Sequence, residues 1–364
     1  MKKVNFFAML AAAALMTGVS SCSNDDNVGD GGPEGQGKSA SLTISIQNPG
    51  TRATGPGAAA GSDNVVSNFS MFVIDGNGNV GWKQHVTNPS TIPTMTVTTD
   101  AKEVYVIANA GDKTSAYTTK AGLLAATEAL DSQTGGRWAT GDVVIAASDW
   151  TTSGGVTTVN KALTLNFIAA RIQVTVNNQM TGYDGSNGTV LDNVAVLNAN
   201  STSLLFGASL VPSSGEVLQS GVVLSGVANW PSSVTVATNS LVDNYNNAAT
   251  FPGTQDFCYY VYENEATTAA QFPTIVTVIG TDADGNAVYF PVHLAAHENF
   301  TQGSMTTGVV RGKSYNIGII LKGDATTGNG GGGTDPTLPV TSASLDVTIS
   351  INDWIPVALE KEFN

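Results

Sequence analysis

Hydrophobic and polar residues alternate strictly at both ends of this chain. Near the front, Leu42, Ile44 and Ile46 alternate with Thr43, Ser45 and Gln47. Near the back, Leu345, Val347, Ile349 and Ile351 alternate with Asp346, Thr348 and Ser350; Ile355, Val357 and Leu359 resume the pattern after Trp354. A period of two over this length reads as a half-buried β-strand. Between the ends lie further strand-like runs, at 69–74, 94–98, 103–109, 143–147, 156–167, 172–176, 190–197, 234–237, 257–262, 274–279, 287–294 and 315–321. Asp75-Gly-Asn-Gly-Asn79 and Asp282-Ala-Asp-Gly-Asn286 carry the chemistry of hairpin turns. The best helix candidate, 121–130, is short. Many short strands and few helical stretches predict an all-β protein of two β-sandwich-like domains.

Punctuation between the runs predicts the organisation. Residues 22–40 are rich in Gly, Asp and Ser and read as a disordered tether. The first domain is expected over 41–177 and the second over 178–364, with the boundary in the polar stretch at Asn177-Asn178. Residues 323–337, rich in glycine, read as a flexible linker with a reach of roughly 20 Å. A strand carried beyond such a linker, in 338–364, need not pair with its own domain. Arg52 stands in Asn48-Pro-Gly-Thr-Arg-Ala-Thr-Gly-Pro-Gly57, a composition that suits an exposed, protease-accessible loop. Residues 41–52 are then a front strand that a cut would release. A removable front strand and a reaching back strand together point to subunits that polymerise by exchanging strands.

Composition sets the compartment. Lys2 and Lys3, an apolar core at 6–16 and then Val19-Ser-Ser-Cys22 form a targeting segment over 1–21, too short in its apolar part to span a bilayer. A cysteine after small residues at the cleavage point resembles a bacterial lipobox, which makes Cys22 the expected lipid site. The covalent lipid aside, no cofactor is expected. With Cys22 lipidated, Cys258 has no intramolecular partner, and its setting, Phe257-Cys258-Tyr259-Tyr260-Val261, predicts a buried structural thiol. Charged residues make up 12% of the chain, against about 25% in ordinary domains, so the faces are polar but uncharged. The net charge of −14 falls further when Lys2 and Lys3 leave with the leader. Such a chain is repelled by nucleic acid, which is not expected as a partner.

Candidate chemistry is thin. His293 and His297 stand four apart beside Glu298, but His293 falls in a strand-like run, where that spacing separates the rings, so no metal site is expected. Asp282-x-Asp284-Gly lacks the distal glutamate of a calcium loop and reads as a turn. Gly308-Val-Val-Arg-Gly312-Lys313-Ser314 is one residue short of a phosphate loop, and a strand is expected to follow it. With no catalytic constellation, enzymatic activity is not expected. Trp82, Trp138, Trp150 and Trp230 are the residues a glycan-binding platform would use, with core or turn packing as the competing assignment.

Several motifs, taken in order, resemble the fimbrillin family of type V pili. They are the lipobox, Thr51-Arg52-Ala53-Thr54, Tyr105-Val-Ile-Ala-Asn109, Ala169-Ala-Arg171-Ile172, Tyr260-Val-Tyr-Glu-Asn264 and Ile351-Asn-Asp353-Trp354. The resemblance runs from Cys22 to Phe363. It implies two β-sandwich-like domains and export as a lipoprotein to the outer membrane surface. It further implies cleavage between Arg52 and Ala53 by an arginine-specific protease, which removes the strand around Leu42, Ile44 and Ile46. Subunits then join head to tail, with Leu345, Val347, Ile349, Ile351, Ile355, Val357 and Leu359 in the donor strand, and tip and anchor subunits become possible partners. The competing expectations are a surface glycan-binding lipoprotein and a minor tip or accessory adhesin.

Overall fold

The computed structural model describes residues 38–47, 65–88, 92, 94–130, 137–183, 188–207, 217–219, 235–236, 241–246, 253–265, 272–295, 308–340, 344–353 and 357–358. Residues Gly37–Asn364 fall in one compact unit built almost entirely of β-strands. The first half pairs two sheets. One has the order Met95–Thr98, Ser39–Gln47, Val156–Thr164, Thr151–Ser153. The other runs Asn166–Phe167, Ala139–Val144, Glu103–Ala108, Phe69–Ile74, Val80–Val86. Leu42, Ile44, Val159 and Leu163 of the first sheet and Met71, Val104 and Val106 of the second lie in one buried core. All six residues of Phe69–Ile74 are buried, and Tyr117 covers Phe72 on the face turned away from the first sheet. Phe72 meets Tyr117 edge to face at 5.8 Å. A side chain could not stand at Gly141, where a Cβ would lie 2.3 Å from the Thr164 carbonyl; the two sheets close together there.

The second half repeats the plan with a seven-stranded and a four-stranded sheet. The larger has the order Thr235–Val236, Val217–Gln219, Ala199–Asn200, Gly253–Tyr262, Ala169–Asn178, Lys313–Leu321, Leu345–Asp353. The smaller runs Val242–Asn244, Val190–Leu197, Ile275–Thr281, Ala287–His293. Two short ribbons tie the halves together: Thr127–Ala129 with Thr202–Leu204, and Val65–Val66 with Val357–Ala358.

Both expected hairpin turns form. Asp75 Oδ1 accepts the backbone N–H of Asn77 and of Asn79, each at 2.8 Å, and Asp282 Oδ1 accepts those of Asp284 at 3.0 Å and Asn286 at 2.8 Å. These backbone donors hold the Asp282 carboxyl below its ordinary pKa.

Four expectations need correction. The helix is only Lys120–Leu124, started by Thr119, whose hydroxyl accepts the Gly122 N–H at 3.1 Å. The rest of the expected helix, Thr127–Ala129, is strand, because Thr202–Leu204 offers it a partner. Asn177 and Asn178 end the strand Ala169–Asn178, which pairs along its length with Gly253–Tyr262. A division there would cut that strand from its sheet neighbours Gly253–Tyr262 and Lys313–Leu321, so the second half begins near 169. Cys258 is half-buried, since alternation turns Phe257 and Tyr259 inward instead.

The largest correction concerns the glycine-rich segment, which is packed rather than slack. Gly323 and Ala325 pair with Thr181 at 2.9 and 2.8 Å, and Gly333 exchanges two hydrogen bonds with Tyr289, both 2.8 Å. A Cβ on Gly323 would lie 2.1 Å from the Gly330 carbonyl, and one on Gly330 would lie 2.3 Å from the Thr189 hydroxyl. Asn329, Gly330 and Gly331 all take positive φ. The glycines are there for close approach and for left-handed backbone. The segment covers the exposed edge of Ala287–His293, which would otherwise offer unpaired backbone groups.

Candidate functional site

The front strand, Ser39–Gln47, fills a slot between two other strands. It runs antiparallel to Met95–Thr98, with Leu42 opposite Met95, and parallel to Val156–Thr164, with Leu42 opposite Val159 and Ile46 opposite Leu163. Leu42 is 0% exposed, Ile44 2% and Ala40 5%. Ile46 is half-buried against the same core. Burying Leu42 and Ile44 is worth roughly 1.5–3 kcal/mol each. The N-terminal end is pinned by reciprocal bonds between Lys38 and Thr99: Lys38 N–H to Thr99 Oγ1 at 3.0 Å, Thr99 N–H to the Lys38 carbonyl at 2.9 Å. Without this strand, Met95–Thr98 and Val156–Thr164 would face each other across an apolar slot lined by unpaired backbone groups.

The back strand, Leu345–Asp353, is placed differently. It pairs antiparallel with Lys313–Leu321 over nine residues and forms one edge of the larger sheet. In the single chain the tail thus pairs with its own domain. Leu345 is buried at 1% exposure, Val347 and Ile349 are half-buried, and Ile351 is 47% exposed. Two ion pairs hold its ends, Lys322 with Asp346 and Lys313 with Asp353. Both are solvent-exposed, and such pairs contribute about 0–1 kcal/mol each. Beyond it, Val357–Ala358 pairs with Val65–Val66. Cys22, Arg52, Ala53, Ile355 and Leu359 lie outside the described residues.

Two asparagines from the motifs quoted above act as clasps, a role that pattern reading did not assign. Asn109, at φ 62, accepts the Ser67 N–H at 2.9 Å and donates to the carbonyls of Val65 at 2.8 Å and Arg137 at 3.0 Å. It therefore anchors the start of the segment that leads into Phe69–Ile74. Asn264 donates to the carbonyls of Asn198 at 3.1 Å and Phe272 at 2.9 Å. Beside it Glu263, 1% exposed, takes the Arg311 guanidinium fork, which also reaches the Ser203 hydroxyl and the Leu204 carbonyl. A carboxylate inside Tyr260-Val-Tyr-Glu-Asn264 with only four arginines in the chain was the available signal.

The remaining candidates are structural. The ring of His293 is buried, with Nε2 3.1 Å from the Thr337 carbonyl, and His297 and Glu298 lie outside the described residues. Among the described residues no cluster of three or more His, Cys, Asp or Glu could hold a metal ion. The segment 308–312 leads into the strand Lys313–Leu321. Trp138 is buried with Lys113 Nζ 4.5 Å from its ring centroid, and Trp82 and Trp150 pack against the core. Trp230 lies outside the described residues. Trp138 thus lies in the core, and Trp82 and Trp150 are partly buried against it.

The architecture defines an all-β protein of two sandwich-like halves, with a front strand inserted in one sheet and a tail strand at the edge of another. The profile of the FimA-like major fimbrial subunit protein C-terminal domain matches residues 169–354, and that of the major fimbrial subunit protein (FimA) matches 40–203. The chain belongs to this family of fimbrial structural subunits. Among solved structures, a putative cell adhesion protein from Bacteroides eggerthii is 24% identical, with a TM-score of 0.70 over 90% of this chain and 100% of that one. A fimbrilin (FimA) from Porphyromonas gingivalis is 20% identical, with a TM-score of 0.60 over 87% of this chain and 98% of that one. A putative cell adhesion protein from Parabacteroides distasonis is 16% identical, with a TM-score of 0.56 over 87% and 99%. These likenesses bear on the fold. A search of curated proteins found no match to this chain. The family makes the protein a structural component of an extracellular pilus.

Proposed function

We propose that this chain is a pilus shaft subunit without enzymatic activity, matured by proteolysis and polymerised by strand exchange. The precursor carries lipid on Cys22 and is displayed at the outer membrane surface. An arginine-specific protease cuts between Arg52 and Ala53. The cut leaves Ser39–Gln47 held only by non-covalent contacts, and the strand departs. The tail strand of another copy, led by Leu345, Val347 and Ile349, enters the vacated slot. The contact is head to tail, so it propagates as a filament. Tip and anchor subunits complete the assembly, which serves adhesion and colonisation.

The carrying observation is the position of the front strand, central in its sheet and joined to the rest of the chain through the segment that holds Arg52. The energetics favour the exchange. The tail leaves an edge where one strand pairs with Leu345–Asp353, two exposed ion pairs hold it and the short pairing of Val357–Ala358 with Val65–Val66 is given up, and it gains a slot with a partner on each side.

The test is cleavage of the purified precursor by an arginine-specific protease. Ladders on an unheated denaturing gel and filaments by electron microscopy are expected, and an Arg52→Ala precursor stays monomeric under the same treatment. Monomers that persist after complete cleavage at Arg52 overturn the reading.

A further inference from the structure

The tail strand is close to a second copy of the front strand. Ser39-Ala-Ser-Leu42 recurs unchanged as Ser342-Ala-Ser-Leu345, and Thr43-Ile-Ser-Ile46 recurs as Thr348-Ile-Ser-Ile351. Front and back strands are also equally long, nine residues each. The two matches imply different alignments, displaced by two residues, so identity alone does not fix how the tail would lie in the slot. Both preserve the face, because an even slip keeps every inward residue inward.

Side-chain volume separates them. In the first alignment Ala343, Leu345, Val347 and Ile349 replace Ala40, Leu42, Ile44 and Ile46, so the inward set changes by a single methylene, Val for Ile. In the second, Leu345 replaces Ala40 and Val347 replaces Leu42. A leucine then occupies a site that holds alanine at 5% exposure, while the fully buried leucine site is underfilled. Overpacking and cavity formation are both penalised in a core packed to crystal density. A cavity of about 210 Å³ lined by Ser39, Trp82 and Val97, the residue opposite Ala40, adjoins the start of the strand, so the underfilled leucine site is the stronger of the two objections.

We propose that the tail of a second copy enters the slot in one register, with Leu345 in the place of Leu42 and Ile349 in that of Ile46. This rests on the strand-exchange reading above. Ser344 then stands opposite Thr96 and Thr158, Leu345 opposite Met95 and Val159, and Ile349 opposite Leu163, as Ser41, Leu42 and Ile46 do in the precursor. On this proposal the first alternating run alone fills the slot, and Ile355, Val357 and Leu359 fall beyond it.

Disulfide trapping tests the register. All chains carry Cys22→Ser and Cys258→Ser. Chains with Thr96→Cys are mixed with chains with Ser344→Cys, cleaved by an arginine-specific protease and oxidised. A parallel mixture uses Thr98→Cys with Ser344→Cys, the pair the slipped alignment brings together. An uncleaved Ser41→Cys/Thr96→Cys precursor, whose residues face each other in the structure, checks that the pair can close. The expected result is a reductant-sensitive dimer at least fivefold more abundant with Thr96→Cys than with Thr98→Cys. A preference for Thr98→Cys overturns the register in favour of the slipped one. Filaments by electron microscopy without a disulfide in either mixture show that another segment or register fills the slot. Absence of filaments, with or without oxidant, defeats the strand-exchange reading itself.

Discussion

The two end strands have the same length and the same alternation, yet one lies at the centre of a sheet and the other at the rim of another. Ser39–Gln47 has a neighbour on each side and buries Leu42 and Ile44 almost completely. Leu345–Asp353 has one neighbour and leaves Ile351 nearly half exposed. The comparison teaches that alternation fixes which residues face inward, while the burial they reach depends on the partners the sheet supplies. An apolar stripe half-exposed on an edge is poorly satisfied where it sits, whereas the interior position in the first sheet buries the same pattern.

The largest expected effect breaks the comparison outright. Deleting 345–364 removes the donor and should abolish filaments, while circular dichroism and thermal melting still report a folded first half. Filaments from this truncation would take the tail out of the mechanism. Next come core truncations, which should act in opposite places at the two ends. Leu42→Ala should destabilise the uncleaved precursor by about 2–5 kcal/mol in chemical unfolding, yet on the strand-exchange reading leave filaments unaffected, since that strand would depart. Ile349→Ala should cost the precursor much less but make filaments dissociate at lower temperature or denaturant. Equal effects of the two substitutions on the precursor would contradict the difference in burial.

Smaller again is the hold on the tail. Replacing Lys313 and Lys322 with Ala, or raising the salt concentration, removes ion pairs worth about 0–1 kcal/mol each and should speed polymerisation after cleavage a few-fold. Light scattering after protease addition measures this. The smallest effect is on pH dependence. Burial pushes the Glu103 carboxyl up, but hydrogen bonds from Lys120 at 2.6 Å and Tyr105 at 2.6 Å outweigh it and leave its pKa lowered. A lowered folded-state pKa stabilises above the unfolded value and is lost as pH falls through the folded one. Melting temperature should therefore fall below about pH 4, and Glu103→Gln should flatten that part of the profile.

Much of the fold was legible because strands announce themselves by a period of two and hairpins by Asp-Gly-Asn chemistry. Asp75 and Asp282 make the turns their neighbours predict. What stayed hidden depends on distant partners. Glycine has one spelling for slack chain and for tight packing, so 323–337 read as a tether although Gly330 sits against Thr189. Thr127–Ala129 read as helix because its strand partner lies over seventy residues away, at Thr202–Leu204. The central placement of Leu42 and the edge placement of Ile351 were invisible for the same reason, although both strands were legible as strands.

The slot taken by the front strand runs between one parallel and one antiparallel neighbour. A replacement strand lying there would be pulled along its own axis when a filament is stretched. Its rows of hydrogen bonds on both flanks would bear the load together and have to fail at once, whereas a strand peeled sideways from a rim gives way bond by bond. A surface fibre joined through such slots would resist drag far better than the modest area of each joint implies.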